Sequence, residues 1–468
     1  MKKALLIALA LGMVVAWAAP SMAMDLTVSG AINIGANFGR NVETFVPTLG
    51  NSVFANSSGV NSDDLNATSE YMCLRAILSF KVAASADLYG VFTFEFASNR
   101  FGETSANAGG TSGMGRWGAD AITTQVKNLY IDFRVPPELP VWMRVGIQTY
   151  MIRPTLFLYA DAAGATARIK VPTINMDVNL MYAKPLDVND YEAVNSGEFY
   201  AIDMSIPVAT VKPGAFFAYE NLRAGTANPD DTTLWWVGAY LTGLVPIGDF
   251  NLQPTLDFIY SGGKIENQTV TDQNYGSWLV RGTLGVVWNN LEIGVGGMYV
   301  KGEDATTNDI ERFQLPRNFS EANYLSGESV IWNGSWGDTL ANGLRGPAMS
   351  FSLTSVYGYW YARAYAWYAI TNWIKVGGQL MFIGDTEEQR DCINSMSTSE
   401  TTFVGNGDAD NDYAIGWEMD LGVQLKLYKN LKLNTVFGYL FAQKALSLAG
   451  GVEPSDPWLL RTILIYSF

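Results

Sequence analysis

The sequence predicts an all-β fold, a transmembrane antiparallel β-barrel of 18 strands, and three observations support this prediction. The chain has 468 residues, 48% of them hydrophobic and only 16% charged, an apolar content that is high for an exported soluble protein. Apolar and polar residues alternate with a period of two, as strands with lipid on one side and a polar interior on the other require. Short and long connections take turns along the chain, which is typical of barrels with tight turns at one rim and large loops at the other.

The first 23 residues have the features of an export signal. Lys2 and Lys3 precede an unbroken apolar stretch over 4–19, and a small-x-small cleavage site ends at Ala23. The stretch is shorter than the ~20 residues that a spanning helix needs, which disfavours the alternative of an uncleaved anchor. We interpret 1–23 as a signal peptide cleaved near Ala23, which leaves 24–468 as one barrel domain in a bacterial envelope.

After the signal, the longest purely apolar runs have eight residues, at Leu234–Leu241 and Ile293–Val300, so neither predicts a membrane-spanning helix. Strands remain the route through the membrane, because a barrel strand exposes only every second residue to lipid. The alternation is clearest over 413–427. One face there carries Ile415, Trp417, Leu421 and Val423, and the other carries Gly416, Glu418, Asp420 and Gln424.

The connections set the strand count. Short turns such as Asn289–Asn290 and Lys429–Asn430 alternate with long polar segments such as 40–69 and 301–349. The short turns are expected at the periplasmic rim and the long loops outside. Eighteen strands are predicted, with 16 as the alternative, beginning near residues 26, 70, 88, 124, 141, 165, 174, 198, 213, 232, 251, 277, 291, 358, 373, 412, 431 and 458.

The last strand ends on an aromatic residue. Leu464, Tyr466 and Phe468 share its apolar face. A terminal Phe preceded by alternating apolar residues resembles the insertion signal of bacterial outer-membrane barrels. The resemblance implies the barrel-assembly machinery as a partner during insertion.

The composition disfavours several function classes. The chain has no histidine, the commonest general base and metal ligand, so hydrolases of the Ser-His type and most zinc enzymes are not expected, and no cofactor is predicted. A net charge of −15 argues against a nucleic-acid partner. The two cysteines, Cys73 and Cys392, are candidates for a disulfide in an oxidising envelope, or for two reduced thiols.

Two neighbouring segments carry a resemblance to a known family. Residues 126–136 and 142–148 are similar to the fourth and fifth strands of trimeric porins, in particular the homotrimeric porins of sulfate-reducing bacteria. The resemblance implies a homotrimer surrounded by outer-membrane lipid and lipopolysaccharide. It also implies that the third external loop, over 149–164, folds into the lumen.

On this interpretation the alternation assigns charged residues to the channel. The predicted pore constriction consists of Arg75, Arg144 and Arg168 on the wall and Tyr150, Arg153 and Asp161 on the loop. The predicted lumen wall includes Glu95, Asp132, Arg134, Arg281 and Arg461. A basic wall opposite an acidic loop would create a transverse field, although this loop holds only one acid.

The function that the resemblance implies is a water-filled channel for passive diffusion of small hydrophilic solutes and ions. The first alternative is a channel specific for a sugar or an anion. The second is a structural or adhesive barrel whose lumen is closed by the long segment 301–349. The residues leave the solute and the sign of ion selectivity open.

Overall fold

The computed structural model describes residues 24–40, 68–96, 124–135, 139–154, 156–187, 196–223, 231–266, 272–302, 307, 309–316, 328–332, 355–356, 358–386, 414–443 and 456–468. The predicted signal peptide lies outside this part of the chain. No helix in the described residues is both long enough and apolar enough to cross a membrane.

The described residues form 21 strands: β1 Asp25–Arg40, β2 Thr68–Ser85, β3 Leu88–Phe96, β4 Thr124–Val135, β5 Val141–Ile152, β6 Leu158–Val171, β7 Met176–Asp187, β8 Ser196–Ser205, β9 Val211–Arg223, β10 Asp231–Gly243, β11 Val245–Ile247, β12 Phe250–Glu266, β13 Gln273–Trp288, β14 Leu291–Val300, β15 Phe313–Gln314, β16 Ser355–Val356, β17 Tyr359–Ala369, β18 Ile374–Asp385, β19 Ala414–Tyr428, β20 Leu431–Ala442 and β21 Trp458–Ser467. Strand β11 continues β10 after one residue, and both pair with β12. The short strands β15 and β16 pair only with each other. Eighteen strands therefore make up the main wall.

The wall closes on itself. Each strand of the wall pairs antiparallel with the next, and β21 pairs back onto β1 from Ala31↔Ser467 to Arg40↔Trp458. At this seam Gly30 and Phe468 exchange backbone hydrogen bonds of 2.9 and 3.0 Å. Closure leaves the described wall without an open edge, which is what a sheet needs in a medium that offers its backbone no hydrogen bonds.

The prediction of 18 strands is confirmed, and the alternative of 16 is wrong. The predicted strand starts lie within four residues of the observed ones at every position but the sixth. That start was predicted near 165, whereas β6 begins at Leu158. The error arose because the apolar run after Arg153 was interpreted as a loop.

Alternation sorts the wall into two faces. On β19, Trp417 and Leu421 are 47% and 51% exposed, whereas Glu418 and Asp420 between them are fully buried. Large apolar side chains are exposed in the same way around the barrel, among them Val28, Leu129, Val145, Phe217, Leu256, Val295 and Leu380. Aromatic rings of neighbouring strands contact each other on this outer face, stacked in Trp278–Tyr299 at 5.0 Å and tilted in Phe382–Trp417 at 4.6 Å. The outer face is therefore an apolar band with aromatic residues, suited to lipid contact.

Candidate functional site

The barrel interior is narrowed by a hairpin that leaves the wall. Strand β5 pairs with β4 only as far as Ile147, and β6 pairs with β7 only from Ala163. Beyond these points 148–152 and 158–162 pair only with each other. We call residues 148–162 the inner hairpin.

A glycine pair lies where the inner hairpin departs. Gly146 and Gly164 are direct cross-strand partners, with φ of 132° and 157°. A Cβ on Gly146 would lie 2.2 Å from the Leu129 carbonyl oxygen, and one on Gly164 would lie 2.1 Å from that of Tyr182. Only glycine fits this bend, because both the dihedral angle and the close approach of the adjacent strand exclude a side chain.

One face of the inner hairpin packs against the inside of the wall at the strands that follow β6–β8 around the barrel. Its buried residues include Ile152, Leu156 and Leu158. The ring of Phe157 stacks on Phe216 of β9 at 4.9 Å and meets Trp236 of β10 edge-on at 5.4 Å. These contacts place the hairpin tip inside the barrel, against the third and fourth strands after β6 around the wall.

Tyr150 belongs to this buried face. It was predicted to line the constriction, but it is 1% exposed, and its hydroxyl donates a 2.7 Å hydrogen bond to the Tyr182 carbonyl oxygen. Its role is to attach the hairpin to β7 rather than to meet solute. The prediction failed because alternate residues of a hairpin that lies against the wall point into that wall.

The other face of the hairpin carries polar groups. Asp161 accepts hydrogen bonds of 2.5 Å from the Lys127 ammonium and from the Thr149 hydroxyl. Arg153, at the tip with φ of 46°, forms an ion pair with Asp257 of β12. Asp161 and Arg153 are therefore strand and tip residues of a hairpin, which occupies the segment 149–164 that was predicted to be the inward-folded third external loop.

A second segment enters the lumen from the long connection between β14 and β17. Residues 328–332, which we call the strap, lie against the inner faces of β18 and β19. The backbone N–H of Val330 donates a hydrogen bond to the Asp420 carboxylate at 3.1 Å. Those of Ile331 and Trp332 donate to the Glu418 carboxylate at 2.6 and 3.0 Å. The strap thus lies against the wall on the β17–β20 side.

A chain of charges joins the hairpin tip to the strap. The Asp257 carboxylate forms an ion pair with Arg153 and a second one, at 2.9 Å, with Arg281 of β13. Arg281 also contacts Glu328 of the strap at 3.3 Å, and Glu328 forms a second ion pair with Arg363 of β17. Positive and negative groups alternate along this chain, so each buried charge has an opposite neighbour, as burial requires.

A separate network lines the wall from β2 to β6. Arg75 binds Glu95 through two hydrogen bonds of 2.8 and 2.7 Å, and Lys127 approaches the same carboxylate at 3.4 Å. Toward the short-turn rim, Asp132 accepts from Arg144 at 2.9 Å and from Arg168 at 2.6 Å. The predicted wall arginines therefore fall into two groups, with Arg75 apart from Arg144 and Arg168.

Three other predicted residues lie away from the constriction. Arg134 is at the short-turn rim, where it donates to the Leu139 carbonyl oxygen at 3.1 Å. Arg461 is buried on β21. Cys73 is buried on β2, 3.7 Å from the amide nitrogen of Asn37, whereas Cys392 lies outside the described residues, so the disulfide stays a prediction.

Three charged residues of these networks were not predicted from the sequence, namely Lys127, Glu328 and Arg363. Strand β4 shifts register between its pairings Thr93↔Asn128 and Phe94↔Val126, so that simple alternation places Lys127 on the wrong face. Arg363 sits in a clear alternation over β17, and that signal was available. Glu328 carries no strand pattern, so no periodicity could have placed it.

Comparison with known proteins gives matches at the level of structure. No protein-family model matches the chain, and no curated protein matches it. Among solved structures, OccK8 (OprE) of Pseudomonas aeruginosa is 11% identical, with a TM-score of 0.54 over 94% of this chain and 98% of that chain. OccAB4 of Acinetobacter baumannii is 10% identical, with a TM-score of 0.55 over 96% of this chain and 100% of that chain. Both are outer-membrane porins.

The chain has the porin fold. The identities are too low to carry more than the fold. The match also extends to OpdK of Pseudomonas aeruginosa, solved with vanillate, at 11% identity and a TM-score of 0.52 over 95% of this chain and 98% of that chain. The finer resemblance to homotrimeric porins of sulfate-reducing bacteria gains no support from these matches and stays a prediction.

Proposed function

We propose that the protein is an outer-membrane channel through which small hydrophilic solutes and ions diffuse passively. The observation that carries this proposal is the combination of a closed 18-strand wall, an apolar outer face and an interior lined by ion pairs. A barrel of this strand number is wide enough to hold water inside. Charged groups on the inner face would favour a wet lumen over a dry core.

The test is single-channel recording of purified, refolded protein in planar bilayers. Current steps that are ohmic in KCl would support a water-filled channel, and the reversal potential in a KCl gradient would give the sign of selectivity. A barrel that is folded by its heat-dependent gel mobility but never conducts would contradict the proposal.

A solute-selective channel is the second candidate, and the two inward segments favour it. The inner hairpin and the strap reach into the lumen from different parts of the wall, and the charge chain from Arg153 to Arg363 connects them. A passage bordered by both would select solutes by charge as well as by size. Because one structural neighbour was solved with vanillate, small carboxylates are reasonable first probes. Saturating current block by a carboxylate, without block by a neutral sugar of equal size, would distinguish this candidate from a general diffusion channel.

The location and assembly of the protein are part of the proposal. The porin fold fits an outer-membrane location, with export directed by 1–23 and insertion by the terminal Phe468. The homotrimer is tested by cross-linking and mass measurement in mild detergent. A single mass corresponding to one chain would remove the trimer and leave the channel proposal intact.

A further inference from the structure

The strap is held by an unusual donor and acceptor arrangement. Glu418 and Asp420 are two residues apart on β19, so their carboxylates point from the same face. Val330 donates to Asp420 at 3.1 Å, and Glu418 accepts from the next two backbone N–H groups at 2.6 and 3.0 Å. Two acidic side chains therefore bind three consecutive backbone amides.

The wall also contacts Glu328 at the start of the strap. Gln379 of β18 donates from one amide nitrogen to the Glu328 carbonyl oxygen and to Asp420, both at 2.6 Å. Arg363 donates to the same carbonyl oxygen at 3.3 Å. The wall thus offers hydrogen-bond acceptors to the N–H groups of the strap and donors to the Glu328 carbonyl oxygen, much as a binding site does for an extended peptide.

The apolar side chains of the strap enter a shaped surface. A Cβ on Gly438 of β20 would lie 2.6 Å from the Cβ of Val330, so the missing side chain makes the notch that Val330 fills. The indole of Trp332 packs edge-on against Tyr359 at 5.5 Å. The fit is close because the wall lacks a side chain where the strap needs space.

Two further observations distinguish the strap from the paired strands of the wall. Strands β17 to β20 pair fully with one another, and the strap is no part of that sheet. The indole N–H of Trp332 is buried, and the described residues offer it no hydrogen-bond partner. When a carboxylate and a backbone amide part from each other in a wet lumen, both form hydrogen bonds with water instead, so the net free-energy cost is well below the strength of the bond in a dry core.

We propose that the strap is a displaceable latch, and that Glu418 and Asp420 are the positioning residues that hold it across part of the passage. This inference rests on the proposed channel function. With the latch docked, the channel has a narrow state. With the latch withdrawn, the inner faces of β18 to β20 line a wider one.

The first experiment removes the acceptors and keeps their shape. In the double variant Glu418→Gln with Asp420→Asn, both negative charges are lost, and one of the two strap N–H groups that Glu418 binds through its two oxygens now faces an amide NH₂ group. Single-channel conductance is expected to rise about twofold, because the conductance of a water-filled pore follows its open cross-section. The matched control is Glu292→Gln, an inner-face acid on β14 that pairs with Lys375 at 3.0 Å and does not contact the strap. Conductance of the control should equal that of the native protein.

The second experiment fills the notch, and it decides the matter if the double variant fails to insert. Gly438→Val would place a side chain where Val330 now lies, because even its Cβ would be 2.6 Å from the Val330 Cβ. The latch should then leave its place, and single-channel conductance should rise about twofold.

The outcomes separate the latch from the channel. A double variant that inserts and conducts like the native protein overturns the latch and leaves the channel. A Gly438→Val variant that inserts and keeps the native conductance also overturns the latch. Folded native and variant barrels that never conduct overturn the channel function, and the latch with it.

Discussion

The inner hairpin and the strap both enter the barrel, but they are held by different physics. The hairpin is a continuation of two wall strands, stabilised by its own ladder between Thr149↔Asp161 and Ile152↔Leu158 and by apolar packing of Phe157. The strap has no ladder and is held by side-chain carboxylates and one notch. The comparison teaches that a hydrogen-bonded ladder makes a fixed constriction, whereas side-chain anchoring makes a removable one.

The largest effect that would test this comparison is expected at the bend of the hairpin. Gly146→Val would place a branched side chain at φ of 132° and against backbone atoms 2.2 and 2.8 Å away. We expect a loss of about 4 kcal/mol in the free energy of unfolding, since backbone strain and overpacking add there. The measurement is urea unfolding in detergent followed by tryptophan fluorescence.

Gly90→Ala is the matched control for that variant. The nearest atom to a Cβ on Gly90 is 3.8 Å away, so a methyl group fits. Its unfolding midpoint should stay close to that of the native protein. Equal losses in the two variants would show that the bend at Gly146 has no special demand for glycine.

A smaller loss is expected where the hairpin meets the wall. Phe157→Ala would remove the ring from its contacts with Phe216 and Trp236 and leave a cavity. We expect the free energy of unfolding to fall by about 3 kcal/mol. Hydrogen exchange should also quicken over 148–162 while the pairing of β12 with β13 stays protected. Uniform quickening over the whole barrel would mean that the hairpin and the wall unfold as one unit.

A third variant tests the link between the two regions. Asp257→Asn would leave Arg153 and Arg281 without the carboxylate they share, at a cost of about 2 kcal/mol. Open-channel current noise should rise, because the hairpin tip loses its ion pair. The control is Asp177→Asn, whose exposed carboxylate lies 4.0 Å from Lys170 and 3.7 Å from Lys212. Noise that rises equally in both variants would count against a specific role for Asp257.

The difference between the two regions also explains what the sequence could predict. Period-two alternation, turn lengths and the terminal Phe468 are local signals, and they were enough for the strand number and for most strand starts. Arg75, Arg144 and Arg168 were assigned to the interior by the same alternation. How these arginines pair depends on which strands are neighbours and in what register, which only the folded barrel determines.

The constriction was harder to predict because it depends on departures from alternation. Beyond the bend at Gly146 and Gly164 the hairpin leaves the wall, so that Tyr150 hydrogen-bonds to β7, whereas Asp161 contacts Lys127 of β4. The strap has no periodicity, and its position follows from Glu418 and Asp420 on a distant strand. A sequence shows that β19 has buried acids on one face, but it does not show which segment they bind.

The smallest effect is expected on ion selectivity, and it concerns the polar face of the hairpin. Asp161→Asn would remove an acidic partner of the Lys127 ammonium, which also contacts Glu95, and Glu95 is already shared with Arg75. The local charge becomes more positive by one, so the ratio of anion to cation permeability should rise about 1.5-fold at low salt, where screening is weak.

The measurement is the reversal potential in a KCl gradient, with Glu266→Gln as the control. Glu266 is an exposed acid at the long-loop end of β12, paired with Lys264 at 3.3 Å. If the fixed hairpin sets the field that ions meet, the Asp161 variant shifts the reversal potential and the control does not, whereas equal shifts would assign selectivity to the outer rim instead.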